Sequence, residues 1–391
     1  MTWEMVRNRF LFREVNDRGF DLPLASVTRD GGVEFRSDLD ISVWNPGDDV
    51  SHYKRVRPGD FVIGLRSFQS GIGSSQLEGL VSPAYTVLRP TSLLVDGGFF
   101  KHLFKSDIFV SRLENVAQGI RQGRTIATED FYNIEVSVPP PPEQRAIADY
   151  LDAETARIDA LITKKRRMID LLLERWRSSV DEITGRGDPV QVRYLTSAIT
   201  SGPRGWADRV SAKGAPFIRS ANLRRDSVNL QLEDLARLTP PVTAESQRSM
   251  TSVGDTLVGI TGANTGWVGW VDDETSGGYV SQHVAMLRPK DVEPHWLTYS
   301  LFAHRSQDQL LGGQYGGTKT QLGLSDLAEL KIRLPTAREQ RALLDQLDQE
   351  RKRVNQTRKA LRTQLDLLIE RRQALITAAV TGELEIPGVA A

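Results

Sequence analysis

Two long segments of the chain carry apolar residues at seven-residue intervals, with charged residues at most other positions. The spacing is clearest in the second segment, where five residues fall seven apart: Leu347, Val354, Leu361, Leu368 and Leu375. The matching apolar positions of the first segment are Leu151, Ile158, Ile162, Ile169, Leu172 and Trp176. Leu365 is one further seam residue of the second segment. A repeat of seven keeps one seam of an α-helix facing a partner helix.

The seams predict two helices of about 43 residues, each about 64 Å long at 1.5 Å per residue. We favour an antiparallel coiled coil between the two helices. The alternative is two separate amphipathic helices, each packed on its own domain. Lys165, Arg351 and Arg358 interrupt the seams, and one hypothesis is that they mark positions where other subunits dock.

The remaining sequence is rich in Gly and contains short apolar runs bounded by Gly, Pro and Asp, which is typical of β-strands. The clearest runs are DFVIGL, AYTVL, NIEVSV, TLVGI, WVGWV and AMLRP. We therefore predict an α+β fold with two β-rich α/β domains. The predicted divisions are a first domain (1–138), a first long helix (139–186), a second domain (187–335), a second long helix (336–382) and a C-terminal tail (383–391).

The two halves of the chain contain similar short sequence motifs in the same order. PPPPEQRAIADYLD at 139–152 returns as PTAREQRALLDQLD at 335–348. GDFVIG at 59–64 returns as GDTLVG at 254–259, and LRP at 88–90 returns at 287–289. Because the repeat is far longer than that of a solenoid, it predicts two similar domains in a pseudo-two-fold arrangement.

Composition narrows the range of functions. The 391 residues include 50 Lys plus Arg and 50 Asp plus Glu, so any nucleic-acid surface must be a local patch or be completed by a partner. There is no Cys, which excludes disulfides and thiolate chemistry. The sequence also lacks an apolar run of membrane-spanning length. We expect a soluble intracellular protein.

The motif P-x-x-x-E-Q at the start of a long helix that ends in T-G, present twice after two dissimilar regions, resembles the specificity subunit of type I restriction–modification enzymes. The resemblance implies a non-catalytic subunit with two target-recognition domains. Each domain would read one half of a bipartite, asymmetric DNA target. The helices would set the spacer length between the two halves and dock methyltransferase subunits.

The resemblance also implies partners and cofactors. The expected partners are double-stranded DNA, two methyltransferase subunits and restriction (motor) subunits, with no membrane. No cofactor is expected in this chain, because S-adenosylmethionine, ATP and Mg would be bound by the partner subunits. The expected location is the cytoplasm of a bacterium or archaeon, in association with the nucleoid.

Base readout needs polar side chains that reach groove edges, and loops on a rigid frame are suited to carry them. Two loops of the first half offer Arg66, Ser67, Gln69, Ser70, Gln76, Arg121, Gln122 and Arg124. The corresponding loops of the second half offer Thr261, Asn264, Thr265, Gln314, Tyr315, Thr318, Lys319 and Gln321. These residues are our candidates for DNA binding.

Several alternatives remain open from the sequence. The loops could be ordinary polar loops, and Arg121, Arg124 and Lys319 could contact phosphates that carry no sequence information. A different class of protein is a coiled-coil scaffold whose globular domains bind other proteins. A third is an unrecognised nuclease or methyltransferase, which the lack of catalytic motifs disfavours.

Overall fold

We describe the protein from a computed structural model, in which residues 3–28, 32–39, 49–64, 72–116, 126–312, 321–387 and 389 are described. The chain divides into two compact units. Unit 1 comprises Met1–Lys165 and Thr363–Ala391, and unit 2 comprises Arg166–Arg362. Each unit thus contains one globular domain and part of both long helices. The domain boundaries predicted from the sequence stay predictions.

Unit 1 contains ten short strands and three short helices among its described residues. The strands are β1 (Glu4–Arg7), β2 (Phe12–Val15), β3 (Ala25–Thr28), β4 (Gly32–Phe35), β5 (Lys54–Val56), β6 (Phe61–Ile63), β7 (Gly73–Ser74), β8 (Gly79–Val81), β9 (Thr86–Pro90) and β10 (Glu135–Val138). The helices are α1 (Gly97–Leu103), α2 (Asp107–Val116) and α3 (Thr128–Asn133), and the first long helix follows as α4 (Pro141–Thr184).

The central sheet of unit 1 has the antiparallel order β2-β9-β6-β7, while β1 pairs with β10. All three residues of β6 are buried, as expected for an uninterrupted apolar run inside a core. Phenylalanines join this sheet to the short helices. The rings of Phe12 and Phe100 lie 5.3 Å apart and those of Phe61 and Phe104 5.1 Å apart, both edge to face.

Unit 2 repeats this order of elements. Its strands are β11 (Asp188–Gln191), β12 (Thr196–Ser201), β13 (Val210–Ser211), β14 (Ala215–Ile218), β15 (Ala236–Leu238), β16 (Thr256–Gly259), β17 (Val268–Trp270), β18 (Tyr279–Val280), β19 (Val284–Pro289) and β20 (Lys331–Leu334). Its helices are α5 (Ala244–Ser249), α6 (Pro294–Phe302), α7 (His304–Leu311), α8 (Leu324–Glu329) and the second long helix, α9 (Ala337–Thr381).

The central sheet of unit 2 has the order β12-β19-β16-β17, and β11 pairs with β20, which is the topology of unit 1. Unit 2 adds a four-stranded sheet of order β13-β15-β14-β18. In the corresponding part of unit 1 the described residues form only the pairs β3–β4 and β5–β8. The two units therefore share a frame and differ in what is built onto it.

The two long helices predicted from the seven-residue spacing are confirmed, as is the α+β class. The predicted capping box starts α9, because the Thr336 backbone N–H donates to Glu339 Oε2 at 2.9 Å and the Glu339 N–H donates to Thr336 Oγ1 at 3.4 Å. Gly382 follows the helix with a left-handed φ of 79°, which favours glycine.

Both long helices contribute to the core of each unit. In unit 1, Ile147 and Leu151 of α4 join Ile376 and Val380 of α9 in the core of the globular domain. In unit 2, Trp176 of α4 and residues of α9 such as Leu347 join the other core. Hydrophobic burial therefore holds the helices to the domains as well as to each other.

Polar contacts also join the helices. In unit 1, Arg372 Nε donates to Asp159 Oδ1 at 2.9 Å and Lys165 Nζ donates to Gln364 Oε1 at 2.7 Å. Because the later residue of α4 meets the earlier residue of α9, these segments run antiparallel, as predicted. In the described part of the chain, no helix is apolar over a sufficient length to cross a bilayer.

Candidate nucleic-acid interface

One buried ion pair in each unit explains two of the repeated sequence motifs, GD and LRP. Arg89 binds Asp60 through two parallel hydrogen bonds of 2.7 Å, and Arg288 binds Asp255 in the same way at 3.0 and 2.7 Å. Both carboxylates are 1% exposed. These hydrogen bonds raise the pKa of both guanidinium groups. The pair fixes the strand that leads into the first candidate loop, β6 or β16, to its neighbour β9 or β19.

The glutamine of the repeated E-Q motif attaches each long helix to its globular domain. Gln144 accepts a hydrogen bond from the Asp96 backbone N–H at 2.9 Å and donates to two backbone carbonyls. Gln340 accepts from the Glu293 backbone N–H at 3.0 Å and donates to one carbonyl. Both side chains are buried. The motif is therefore structural, since it fixes the start of the helix against the domain.

Three loops of unit 2 converge on one polar cluster. Thr261 follows β16 and forms a β-bridge with Gln321, which precedes α8. The Thr261 hydroxyl is hydrogen-bonded to Nδ1 of His283, in the turn between β18 and β19. Gln282, in the same turn, places its side-chain nitrogen 3.0 Å from His283 Nε2. Two of our candidates, Thr261 and Gln321, thus lie next to two residues that were not predicted.

The chemistry of these groups fixes the direction of each hydrogen bond. An amide nitrogen can only donate, so the Gln282 nitrogen donates and His283 Nε2 accepts. With Nε2 of His283 as the acceptor, Nδ1 carries the ring proton and donates to the Thr261 hydroxyl. Gln282 and His283 are both exposed. The cluster therefore presents an oriented amide at the surface.

The loop between β16 and β17 uses its polar side chains internally. Asn264 Nδ2 donates to the Ser220 carbonyl at 2.8 Å, and the Thr265 hydroxyl donates to the Gly262 carbonyl at 2.7 Å. Gly262 and Gly266 have left-handed φ angles of 82° and 83°. Asn264 and Thr265 thus shape the loop, and their predicted contact with bases stays a prediction.

An open cavity of about 670 Å³ adjoins the cluster and is lined by Gln282, His283, Trp206 and Arg219 among others. The neighbouring segment 203–213, which we call the basic segment, carries the exposed cations Arg204, Arg209 and Lys213. None of these three cations forms an ion pair with another described residue. Exposed cations without carboxylate partners are suited to contact phosphates.

A second cavity, of about 700 Å³, borders the same β16–β17 loop and contains Arg177, Arg224 and Arg225. Arg177 donates to the Arg225 backbone carbonyl, which brings the two arginines together. Burial, and then the charge of Arg225, lower the pKa of Arg177. Arg224 is neutralised in part by Asp226 at 3.1 Å. This excess of positive charge favours an anion in the cavity.

The chain is similar in sequence to a known protein family. Residues 225–366 match the family model described as the type I restriction modification DNA specificity domain. We call this region, residues 225–366, the specificity domain after the family model that it matches. The family resemblance predicted from the repeated motif is confirmed.

The curated relatives include specificity subunits from Escherichia coli. The EcoKI specificity subunit of strain K12 is 30% identical over 145 residues, an alignment that covers 35% of this chain and 30% of the relative. The EcoBI specificity subunit is 24% identical over 279 residues, covering 63% and 58%. The chain thus spans about a third of the length of the EcoKI subunit and somewhat over half of the length of the EcoBI subunit.

Solved structures show the fold over nearly the whole chain. One solved chain is described under "Structural basis underlying complex assembly and conformational transition of the type I R-M system". It matches with a TM-score of 0.74 at 18% identity, and the alignment covers 98% of each chain. The HsdS subunit from Thermoanaerobacter tengcongensis has a TM-score of 0.50 at 18% identity, with coverage of 98% and 97%.

Many predicted DNA-binding residues lie outside the described part of the chain. These are Arg66, Ser67, Gln69, Ser70, Arg121, Gln122 and Arg124, and in the specificity domain Gln314, Tyr315, Thr318 and Lys319. Of the candidates in the first half, only Gln76 is described, and it is exposed. The structure brings together Thr261 and Gln321 from the second half.

All twelve predicted seam residues are at least half-buried. Leu151, Ile158, Ile162, Trp176, Leu347 and Leu361 are buried, and Ile169, Leu172, Val354, Leu365, Leu368 and Leu375 are half-buried. Several of them contact a globular domain as well as the other helix. The ring of Trp176, for example, lies 5.9 Å from that of Tyr299 in α6.

Arg351 and Arg358, which the sequence suggested as docking positions for other subunits, contact their own domain, and their docking role stays a prediction. Arg358 is buried and forms an ion pair with Asp226 of the specificity domain. Arg351 lies 5.1 Å from the centre of the Trp270 ring and binds Asn229 at 3.1 Å. Both arginines hold α9 to its own domain. The third interruption, Lys165, binds α9 within unit 1.

Sequence reasoning missed Gln282, His283 and the basic segment. A signal for the first two is present, since VSQH at 280–283 stands at the same distance before LRP as VSPA at 81–84. The frame residues agree and the next two differ, which is the pattern expected of positions that set specificity. In the basic segment only Arg204 has an internal counterpart, since RGW at 204–206 matches RGF at 18–20.

Proposed function

We propose that the chain is the DNA sequence-specificity subunit of a type I restriction–modification complex. The observation that carries the proposal is the specificity-domain match over residues 225–366, because the cavity of three arginines and the Thr261–His283–Gln282 cluster lie within or beside this region. Polar side chains presented by loops on a braced sheet suit the readout of base edges.

In this proposal each globular domain reads one half of a bipartite target, and the target is asymmetric. The support is the contrast between a repeated frame and unlike surfaces. The ion pairs of Arg89 and Arg288 are the same in both units, whereas the exposed loops differ in sequence. Two similar frames with different reading surfaces should select two different half-sites.

The long helices set the number of unread base pairs between the half-sites and dock the methyltransferase subunits. A rigid spacer matters because DNA turns once in about 10.5 base pairs, so length fixes which face each domain meets. Inserting four residues between Leu361 and Leu365 should therefore change the unread gap or abolish methylation. An unchanged motif with full methylation would rule out the spacer role.

The chain itself is proposed to be non-catalytic and to act on DNA in the cytoplasm. S-adenosylmethionine, ATP and Mg would be bound by the methyltransferase and restriction subunits. The equal numbers of basic and acidic residues support the idea that partners supply part of the phosphate neutralisation.

The test is to map methylated DNA positions in the native host with and without this gene. We expect one split, asymmetric motif with methylated adenines to vanish on deletion and to return on complementation with the intact gene. If no methylated motif depends on the gene, the proposal fails. A protein-binding scaffold would leave the methylation map unchanged.

A further inference from the structure

The turns that precede β9 in unit 1 and β19 in unit 2 have the same hydrogen bonds. Ser82 Oγ accepts the Ala84 N–H at 3.4 Å, and Ser281 Oγ accepts the His283 N–H at 3.4 Å. The carbonyl of each serine also accepts the N–H three residues on, at 3.0 Å in both units. The frame therefore builds one turn twice.

The two residues after the serine differ completely between the units. Unit 1 has Pro83 and the exposed Ala84, which offer no side-chain hydrogen bond. Unit 2 has Gln282 and His283, both exposed. The frame therefore keeps the turn itself, and only the side chains that the turn presents differ between the units.

Gln282 is oriented before any ligand binds. One amide N–H donates to His283, which in turn donates to the Thr261 hydroxyl. The amide oxygen of Gln282 accepts no hydrogen bond from the described residues. The side chain thus presents one acceptor and one remaining donor side by side. Adenine offers the complementary pair in the major groove, with N6–H as donor and N7 as acceptor.

We propose that Gln282 reads an adenine in the half-site of unit 2, with His283 and Thr261 as positioning residues. This inference rests on the proposed function. The basic segment beside the same cavity supports it, because phosphate contacts there would hold the duplex while the amide reaches a base edge. The corresponding turn of unit 1 would select its bases without a hydrogen bond from these positions.

The test is to complement the deletion strain with Gln282→Ala and to map the methylated motif. We expect one A·T position in one half of the motif to lose discrimination by roughly 5- to 140-fold, which corresponds to about 1–3 kcal/mol for a two-bond contact. The other half of the motif should be unchanged. The double variant Gln282→Pro with His283→Ala, which installs the residues of the unit 1 turn, should relax the same position.

Two further variants separate positioning from folding. Thr261→Val should relax the same A·T position, and Thr261→Ser should restore it, because serine keeps the hydroxyl that accepts from His283. Gln247→Ala is the matched control, since Gln247 is an exposed glutamine of the same unit in helix α5. It should leave the motif unchanged.

The outcomes distinguish this inference from the proposed function. If the intact gene directs no motif, the proposed function fails and the inference falls with it. If the intact gene directs a split motif and Gln282→Ala leaves it equally selective, only the inference is overturned. An equal loss of methylation at all sites by a variant that unfolds at the wild-type temperature would make Gln282 a backbone contact and would also overturn the inference.

Discussion

Unit 1 and unit 2 share a sheet order, a buried Arg–Asp ion pair and a buried glutamine at the start of a long helix. They differ in the second sheet of unit 2 and in the residues presented by corresponding loops. The shared residues are buried and bind the chain's own backbone or each other. The residues exchanged in the turn before β9 or β19 include the exposed Ala84 in unit 1 and the exposed Gln282 and His283 in unit 2. The comparison therefore separates a frame that supports loops from the loops that would meet DNA.

The largest expected effect comes from removing the buried carboxylate of the frame. Asp60→Ala and Asp255→Ala should each lower the free energy of unfolding by about 3 kcal/mol, because a partly buried arginine loses its bidentate partner. Denaturant unfolding measures the change. The control Asp208→Ala removes an exposed aspartate of unit 2 and should cost less than about 0.5 kcal/mol. If all three variants unfold alike, the ion pairs are not part of the frame.

The next effect concerns the repeated glutamine. Gln340→Ala should cost about 2 kcal/mol, because a backbone N–H at the domain surface loses its acceptor. Gln144→Ala should cost somewhat more, since its side chain makes three hydrogen bonds where Gln340 makes two. Gln346→Ala, on the exposed face of α9, is the control for denaturant unfolding. The reverse order of the two buried variants would contradict the comparison.

A smaller effect is expected from the basic segment. After β2, unit 1 has Arg18 in the run DRGFD, which matches Arg204 in the run PRGWAD, but it has no further cation before β3, whereas unit 2 adds Arg209 and Lys213 before β14. Replacing Arg204, Arg209 and Lys213 with Ala should weaken binding to all DNA sequences alike. The slope of log K against log salt should fall by about 0.9 for each phosphate that the variant no longer neutralises. Arg353→Ala on α9 is the control in these binding titrations. A sequence-selective weakening would mean that the basic segment reads bases.

The smallest expected effect is a pH dependence of stability, to which one histidine in each unit contributes. Burial lowers the pKa of His102, beside Asp152, and of His295, which stacks on Trp270 at 4.1 Å. The unfolded chain then takes up protons near the ordinary pKa of 6.5 while the folded chain does not, so stability should fall as the pH drops through 6.5.

Thermal unfolding between about pH 7.5 and about pH 5.5 measures this dependence. His102→Gln and His295→Gln should each make the stability depend less on pH. His52→Gln, at an exposed position, should leave the dependence unchanged. Stability that rises on acidification would show that the two histidines gain protons more readily in the folded state.

The sequence predicted the frame well because its signals are local. The seven-residue spacing indicated both long helices, and runs such as GDFVIG and GDTLVG became strands β6 and β16. The capping box at Thr336 and Glu339 also formed as its spacing predicted. The second sheet of unit 2 was not predicted, since its strands are only two to four residues long.

The candidate site was harder to predict because its contacts join distant positions. Asn264 looked like a base-reading residue, yet its amide binds the carbonyl of Ser220, 44 residues away. Arg358 looked like a defect in the helix seam, yet its partner Asp226 is 132 residues away. Gln282 could be identified only by setting VSQH against VSPA. Neither helical spacing nor residue type carries that information.

The division of both long helices between the units has a consequence for synthesis on the ribosome. The core of unit 1 includes Ile376, Ala379, Val380 and Ile386, so the segment of unit 1 that precedes unit 2 must wait for the segment that follows it. At about 5–20 residues per second, translating the roughly 200 residues of unit 2 takes on the order of 10–40 s. During that interval the nascent chain exposes an apolar surface that the later segment will cover.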